Sequence, residues 1–242
     1  MQKKNQIDMT KVSQAYVTDD NPIVEIFSKI PSMSVMWVIG SRCNFACSYC
    51  PDIWHDKTSP HKTLDELQQA WRKLMKSLEK VEKQIFLSVL GGEPTMNPNL
   101  IPFLQWIRKD FNPLNVIISV VTNGTATVEY YQTLIEYADI TFSTHSEFMN
   151  EAKFFATVNK TQQHANTNNL SYQTHVLIMN EEWNQENIKN YVKYLIKQKL
   201  SWSIAPIEPV YRPGSNWPAQ DIKLSPGAKT SNKLNFYEHI TS

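Results

Sequence analysis

Ser34-Val-Met-Trp-Val-Ile39-Gly-Ser-Arg-Cys43-Asn-Phe-Ala-Cys47-Ser-Tyr-Cys50 joins an apolar run to a loop that carries every cysteine of the chain. The run from Val35 to Ile39 has the length and the β-branched and aromatic content of a strand. The cysteines follow it at the spacing Cys-x3-Cys-x2-Cys, and none occurs elsewhere in the 242 residues. Three thiolates on one tight loop can hold three corners of a cubic iron–sulfur cluster, leaving the fourth iron without a protein ligand. An open iron suits a cluster that binds a substrate or cofactor, so the stretch points to an enzyme rather than an electron carrier.

Outward from this stretch the chain alternates short β-rich runs with longer helical patterns. Strands are expected at Ser34–Ile39, Gln84–Leu90, Asn115–Val121, Asp139–Phe142, Tyr172–Met179 and Ser201–Ile207. Several are nearly continuous in Val, Ile, Leu and Phe, as parallel strands buried on both faces would be. Thr63-Leu-Asp-Glu66 is a capping box, and behind it Leu64, Leu67, Trp71, Leu74, Leu78 and Val81 form one apolar helical stripe. Asn97-Pro98 reads as an N-cap with proline at the first helical position, opening a helix through Phe103, Trp106 and Ile107. Further helices are expected over Thr127–Tyr137, Asn150–Lys160 and Trp183–Lys199.

Six strand–helix repeats imply right-handed βαβ crossovers but are too few for a closed eight-stranded barrel. The expected fold is α/β, a partial (βα)6 TIM-like barrel over residues 31–210. An N-terminal extension, residues 1–30, and a loop-rich tail rich in Pro and Gly, residues 211–242, flank it. In parallel α/β architectures the site lies at the carboxyl ends of the strands.

Composition narrows the function. At 41% hydrophobic residues the chain has ample material for a core, and a net charge of +1 gives no electrostatic argument for nucleic acid. No apolar run approaches the ~18 residues of a membrane span, and no signal-peptide pattern opens the sequence. Clustered cysteines do not suit a secreted disulfide scaffold, so a reducing cytoplasm is expected. The basic spacing within Arg72–Lys83 reads as the solvated face of a helix. There is no Gly-x-Ser-x-Gly elbow, no phosphate-binding Gly-x4-Gly-Lys loop and no His-Glu-x-x-His. His61, His164, His175 and His239 are scattered without ligand spacing.

A second motif, Gly91-Gly92-Glu93-Pro94, directly follows the second expected strand. Glycines let the backbone approach a ligand closely and take up positive φ, and Glu93 adds a carboxylate. With this motif in place the sequence resembles the radical S-adenosylmethionine (radical SAM) superfamily, in the cysteine triplet, in Tyr49 before the third cysteine, and in the order of strands and motifs over roughly residues 34–208. The resemblance implies that Cys43, Cys47 and Cys50 ligate one 4Fe–4S cluster and that S-adenosyl-L-methionine chelates the open iron. It further implies that Gly91, Gly92 and Glu93 hold the amino group of that cofactor, with Tyr49, Thr122, Asn123 and Ser143 also near it. Thr122-Asn123-Gly124 ends the third strand, where the family often has this tripeptide. The fourth strand ends Ser143-Thr144-His145-Ser146-Glu147; many relatives have Ser-x-Asp there, so His145 replaces the usual acid. Asn180, after the fifth strand, is a candidate for the cofactor's carboxylate.

His145, Glu147, Glu208 and Arg212 are the candidates for catalytic groups facing substrate. Asp52, Trp54, His55 and Tyr211 are further polar residues around the expected mouth. The competing reading is a zinc site in which His55 joins the three cysteines, but Cys-x3-Cys is an unusual start for a zinc knuckle, and zinc leaves the Gly-Gly-Glu-Pro turn unexplained.

What the resemblance implies for function is reductive cleavage of S-adenosylmethionine to a 5′-deoxyadenosyl radical, and abstraction of a hydrogen atom from a small metabolite or nucleotide. Modification of a peptide, or activation of a glycyl-radical enzyme, is the alternative within the family. A zinc-stabilised interaction module is the alternative outside it. No cysteine follows Cys50, so the chain offers no cysteines for a second cluster. An external electron donor of the flavodoxin or ferredoxin type is implied.

Overall fold

The computed structural model describes residues 32–50, 52–79, 84–110, 116–180 and 184–207. Six strands form one sheet: β1 (Ser32–Val38), β2 (Gln84–Leu90), β3 (Val116–Thr122), β4 (Asp139–Ser143), β5 (Thr174–Asn180) and β6 (Ser201–Pro206). They lie in sequence order, β1-β2-β3-β4-β5-β6, and each neighbouring pair is parallel. Among the described residues β1 and β6 are the two edges, so the sheet is open, as a partial (βα)6 barrel requires. The helices α1 (Leu64–Leu78), α2 (Leu100–Asp110), α3 (Val128–Leu134), α4 (Glu151–Thr167) and α5 (Gln185–Gln198) connect successive strands. Both the N-terminal extension and the tail lie outside the described residues, as do Val81, Trp183, Glu208, Tyr211 and Arg212.

Only one face of each inner strand is fully buried. In β2 Ile85, Leu87 and Val89 are buried, and in β3 Val116, Ile118 and Val120, with Ile140 and Phe142 in β4 and Val176 and Ile178 in β5. These side chains join the same core as Leu67, Trp71, Phe103, Leu104, Ile107, Tyr131 and Leu195 of the helices. The intervening positions are only partly covered, and Met36, Val38 and Phe86 on β1 and β2 are exposed at 77%, 46% and 39%. This corrects the expectation of strands buried on both faces: an open sheet of six strands does not close over its inner face.

Trp37, Trp71 and Phe103 lock β1 to α1 and α2, with ring centroids 6.0 Å apart for Trp37–Trp71 and 5.3 Å for Trp37–Phe103. Thr63 caps α1: its hydroxyl accepts the Glu66 N–H at 3.3 Å, and Glu66 accepts the Thr63 N–H at 2.8 Å, closing the capping box.

Several helix boundaries differ from expectation, and α3 stops at Leu134 rather than Tyr137. Asn97 does not cap a helix opening at Pro98. Pro94–Met96 forms its own 3-10 turn, which Asn97 closes by donating its N–H to the Pro94 carbonyl at 3.0 Å. Asn97 Oδ1 then accepts the Asn99 N–H at 2.9 Å, and α2 begins at Leu100. α4 runs past Lys160 to Thr167 because its buried stripe continues in small side chains, Thr161 and Ala165. The Thr161 hydroxyl donates to the Thr157 carbonyl at 2.8 Å and so stays dry without an unmet partner.

Candidate functional site

The chain leaves β1 at Ile39 and folds back on itself to form the cysteine loop. Cys43 N–H donates to the Asp56 carbonyl at 2.9 Å, and Cys50 N–H to the Cys47 carbonyl at 3.0 Å. Lys57 Nζ donates to the carbonyls of Cys43 at 2.8 Å and Phe45 at 2.6 Å. The Asp56 carboxylate, accepting from Ser41 Oγ and the Thr58 and Ser59 amides, closes the loop's base and is held well below the usual carboxylate range by the two Ser59 bonds first.

All three cysteines are free. Cys47 is buried, and it packs with Phe45, Tyr49 and Ile207 in a small apolar cluster that Cys43 and Cys50 flank. Burial pushes the Cys47 thiol up to about 12, reinforced by the neighbouring Cys50, Glu147 and Cys43 charges and opposed by a hydrogen bond from Tyr49. Burial likewise raises Cys43. Three thiolates cannot share this pocket uncompensated, so a metal held here would have to displace the thiol protons. The soft, all-sulfur donor set suits iron–sulfur ligation. Among the described residues no group of three or more His, Cys, Asp or Glu side chains converges on a single-ion site. His55, the fourth ligand of the zinc alternative, instead directs Nε2 at the Cys47 carbonyl oxygen, 3.0 Å away.

The Gly-Gly-Glu-Pro turn after β2 docks directly on this loop. Gly92 N–H donates to the Gly40 carbonyl at 3.0 Å and Glu93 N–H to the Arg42 carbonyl at 2.8 Å. Gly91 has φ +151°, and a Cβ there would lie 2.2 Å from the Gly40 oxygen; a Cβ on Gly92 would lie 2.4 Å from the carbonyl oxygens of Ser41 and Arg42. The paired glycines are therefore demanded by the cysteine loop's own backbone, a requirement the sequence motif did not reveal. A cavity of 280 Å³ opens beside this turn, between Gly40–Arg42 and Ser59–Lys62.

Glu93 is buried, and both carboxylate oxygens are occupied. Oε1 accepts Thr95 N–H at 3.0 Å, Thr95 Oγ1 at 2.5 Å and Thr122 Oγ1 at 2.8 Å; Oε2 accepts Asn123 N–H at 2.7 Å. Burial raises its pKa against those donors. The side chain is a brace between the ends of β2 and β3. Thr122 in turn accepts from Tyr131 Oη at 2.9 Å. Asn123 Nδ2 donates to Asn44 Oδ1 at 2.8 Å and lies 4.0 Å from Cys43 Sγ, so the end of β3 also reaches the cysteine loop.

The loop after β4 grips the same loop from the other side. His145 Nδ1 lies 2.8 Å from Tyr49 Oη and 3.5 Å from Cys47 Sγ. The His145 and Tyr49 rings are parallel within 11°, 6.1 Å apart. Burial alone pulls His145 down to about 4. Glu147 accepts both the Ser48 N–H, at 2.7 Å, and the Ser48 hydroxyl, and Phe148 stacks on Phe45 at 5.4 Å. The clamp starts from a fixed point, because Thr144 N–H donates to the Leu177 carbonyl and Thr144 Oγ1 accepts Met179 N–H, each at 3.0 Å.

Cys43, Cys47, Tyr49, Gly91, Gly92, Glu93, Thr122, Asn123, His145 and Glu147 are thus linked around one mouth. Ser143 is buried at the end of β4. Asn180, at the end of β5, accepts from Gln185 Nε2 of α5 at 2.9 Å, and Trp54 is half-buried on the wall of a second cavity with Trp37 and Lys62. Asp52 lies on the 3-10 turn Asp52–His55. Sequence reading missed Asn44, Ser48 and the Phe45–Phe148 stack; pairs about a hundred residues apart leave no spacing signal. Among the described residues no helix is long and apolar enough to cross a membrane.

A family model described as the radical SAM superfamily matches residues 37–201. Two curated proteins are similar over part of the chain. The radical SAM cyclopropyl synthase TigE of Paramaledivibacter caminithermalis is 26% identical over 106 residues, covering 38% of this chain and 22% of that protein. The GTP 3′,8-cyclase of Nautilia profundicola is 28% identical over 96 residues, covering 40% and 29%. The match therefore spans less than a third of either relative. Among solved structures, native anSMEcpe with bound AdoMet and Kp18Cys peptide superposes with a TM-score of 0.61 at 17% identity, covering 86% of this chain and 60% of that one. Native anSMEcpe with bound AdoMet gives 0.58 at 18%, with the same coverage. At these identities the two superpositions speak to the fold.

Proposed function

Because the chain belongs to the radical SAM superfamily, an enzyme superfamily whose members use a 4Fe–4S cluster and S-adenosylmethionine, we propose that Cys43, Cys47 and Cys50 hold one such cluster and that the surrounding strand ends receive the cofactor for radical chemistry on a small metabolite or nucleotide. The observation that carries this reading is the docking of the cysteine loop on the Gly-Gly-Glu-Pro turn, through Gly92 N–H to Gly40 and Glu93 N–H to Arg42. Held by Cys43, Cys47 and Cys50, the cluster would supply the electron for reductive cleavage of S-adenosylmethionine, and with it hydrogen-atom abstraction from the substrate.

The chain's own residues position and shield. Gly91 and Gly92 bring main chain to the mouth without side chains in the way. Glu93 holds the β2 and β3 ends at fixed separation, so its role toward the cofactor is through the backbone it braces. Thr122, Asn123 and Ser143 line the next two strand ends, and Tyr49 presents a ring beside Cys47. Asn180 is the candidate at the end of β5. His145 and Glu147, candidates for substrate chemistry by sequence, act on the cysteine loop in this reading. The reductant is external, a flavodoxin or ferredoxin type of donor, and the free thiols suit a reducing cytoplasm.

A peptide substrate or a glycyl-radical partner is the second reading. It is favoured by the exposed apolar side chains Met36, Val38 and Phe86 on the inner side of β1 and β2, which offer more apolar surface than a small polar molecule needs.

Anaerobic reconstitution with iron and sulfide tests the proposal. The expected result is a visible Fe–S absorption band and 5′-deoxyadenosine after dithionite and S-adenosylmethionine are added. Full deoxyadenosine formation by Cys47→Ala would overturn it. Stoichiometric zinc with no iron uptake, in protein purified without oxygen, would favour the interaction module. Nucleotide pools and peptide pools, added separately, distinguish the two substrate readings by which of them stimulates deoxyadenosine release.

A further inference from the structure

We propose that His145 is a positioning residue that fixes Tyr49 and Cys47 in the cysteine loop and, by donating a hydrogen bond to the Cys47 sulfur, raises the reduction potential of the cluster this loop holds. The inference rests on the cluster reading above and goes beyond it, because it assigns to the departure from Ser-x-Asp at the end of β4 a task on the protein side of the cluster.

The geometry carries the argument. A single ring nitrogen, Nδ1, lies within reach of two partners, Tyr49 Oη at 2.8 Å and Cys47 Sγ at 3.5 Å. A sulfur bound to iron is a thiolate and only accepts. A bare Nδ1 lone pair facing it would be repelled, so the tautomer compatible with a loaded loop carries its proton on Nδ1. That proton is shared between the Tyr49 oxygen and the Cys47 sulfur, which leaves the Tyr49 hydroxyl its own proton to give to an acceptor other than His145. Hydrogen bonds to cluster sulfurs stabilise the more negative, reduced state and so move the potential upward.

The ring cannot swing away from this arrangement. It lies parallel to Tyr49 and edge-on to Phe45, 6.0 Å from that ring. The next residues of the same loop are pinned to the cysteine loop through Glu147–Ser48 and Phe148–Phe45. Thr144, immediately before it, is tied to Leu177 and Met179 of β5. The donor is thus held from both sides at a distance set by the fold, as an orienting partner of a metal ligand must be.

The test is an anaerobic redox titration of the reconstituted protein, followed by electron paramagnetic resonance before any S-adenosylmethionine is added. His145→Phe keeps a ring to stack on Tyr49 and removes the donor; its midpoint is expected to shift to more negative potential at unchanged iron content. His145→Asn places an amide nitrogen the same number of bonds from Cα as Nδ1 and is expected to restore the wild-type midpoint. His145→Gln reaches the position of Nε2 instead, and is expected to behave like His145→Phe; it stands in if the phenylalanine variant does not load. Tyr49→Phe should also shift the midpoint negatively, and the double variant by less than the sum of the two, because both donors act through one shared network. Iron uptake with the same midpoint in wild type, His145→Phe and His145→Gln would overturn this inference alone. Failure of the wild-type protein to take up iron would overturn the cluster reading, and this inference with it.

Discussion

Glu93 Oε2 accepts the main-chain N–H of Asn123 at 2.7 Å, and this bond ties the loop after β2 to the loop after β3. The other oxygen gathers Thr95 and Thr122. A glutamine here has one acceptor oxygen and an NH2 that must face a donor. Glu93→Gln is therefore expected to leave at least one buried donor unmet, at about 1–3 kcal/mol. In a domain of this size that lowers Tm by about 2–4 °C per kcal/mol. Thermal denaturation of the metal-free protein checks it, and a Tm equal to wild type would remove the brace from the account.

Two glycines of the site region predict opposite outcomes. Gly92→Ala puts a Cβ 2.4 Å from two carbonyl oxygens of the cysteine loop, both main chain, so the loop itself must move. The expected cost is about 1–3 kcal/mol or more, with iron per chain falling in parallel. Gly40→Ala meets nothing within 4 Å and is expected to stay within about 0.5 kcal/mol of wild type. Urea midpoints and iron content of the two variants, side by side, separate a backbone requirement from a mere preference for small residues.

The strand–helix alternation, the capping box at Thr63 and the cysteine loop after β1 were legible because each is written in local pattern. Periodicity, a side-chain cap and fixed cysteine spacing need no knowledge of distant partners. Asn97 was misread for the same reason: its local signature as a helix cap is correct chemistry, but the turn opened by Pro94 consumed it first. The inner faces of the strands were misjudged because apolar runs reveal hydrophobicity and not whether a sheet closes. At the site, the residue types were visible, but their division of labour was not. Nothing in the sequence near Glu93 tells that its carboxylate meets the Asn123 N–H, nor that His145 meets Tyr49 and Cys47, 96 and 98 residues earlier.

Trp71 is fully buried where β1, α1 and α2 meet, against Trp37 and Phe103. It is among the largest fully buried side chains, and β1 carries the cysteine loop on its end. Trp71→Ala is expected to destabilise by about 3–5 kcal/mol, while Trp71→Phe, which keeps an aromatic ring in the gap, costs clearly less. Equilibrium urea denaturation measures both. Equal losses for the two would mean that volume and ring contact are not what holds β1 in place.

His175 supplies a pH dependence far from the cysteines. Its Nδ1 lies 2.8 Å from Ser201 Oγ and its Nε2 2.8 Å from Ser203 Oγ, so it bridges β5 to β6. Burial holds its pKa below the ordinary 6.5. In the window just below that value the unfolded chain binds a proton at this histidine and the folded chain does not. Stability then rises with pH there: the contribution is present in full above the unfolded pKa and is lost as pH falls toward the folded one. His61 and His145 are depressed as well and remain in either protein, so the comparison isolates one group. Urea midpoints of wild type are expected to drop more between about pH 7.5 and pH 5 than those of His175→Gln, whose amide can still hydrogen-bond a serine but takes no proton. Parallel pH profiles for the two proteins would show that His175 is as free to protonate in the sheet as in the unfolded chain.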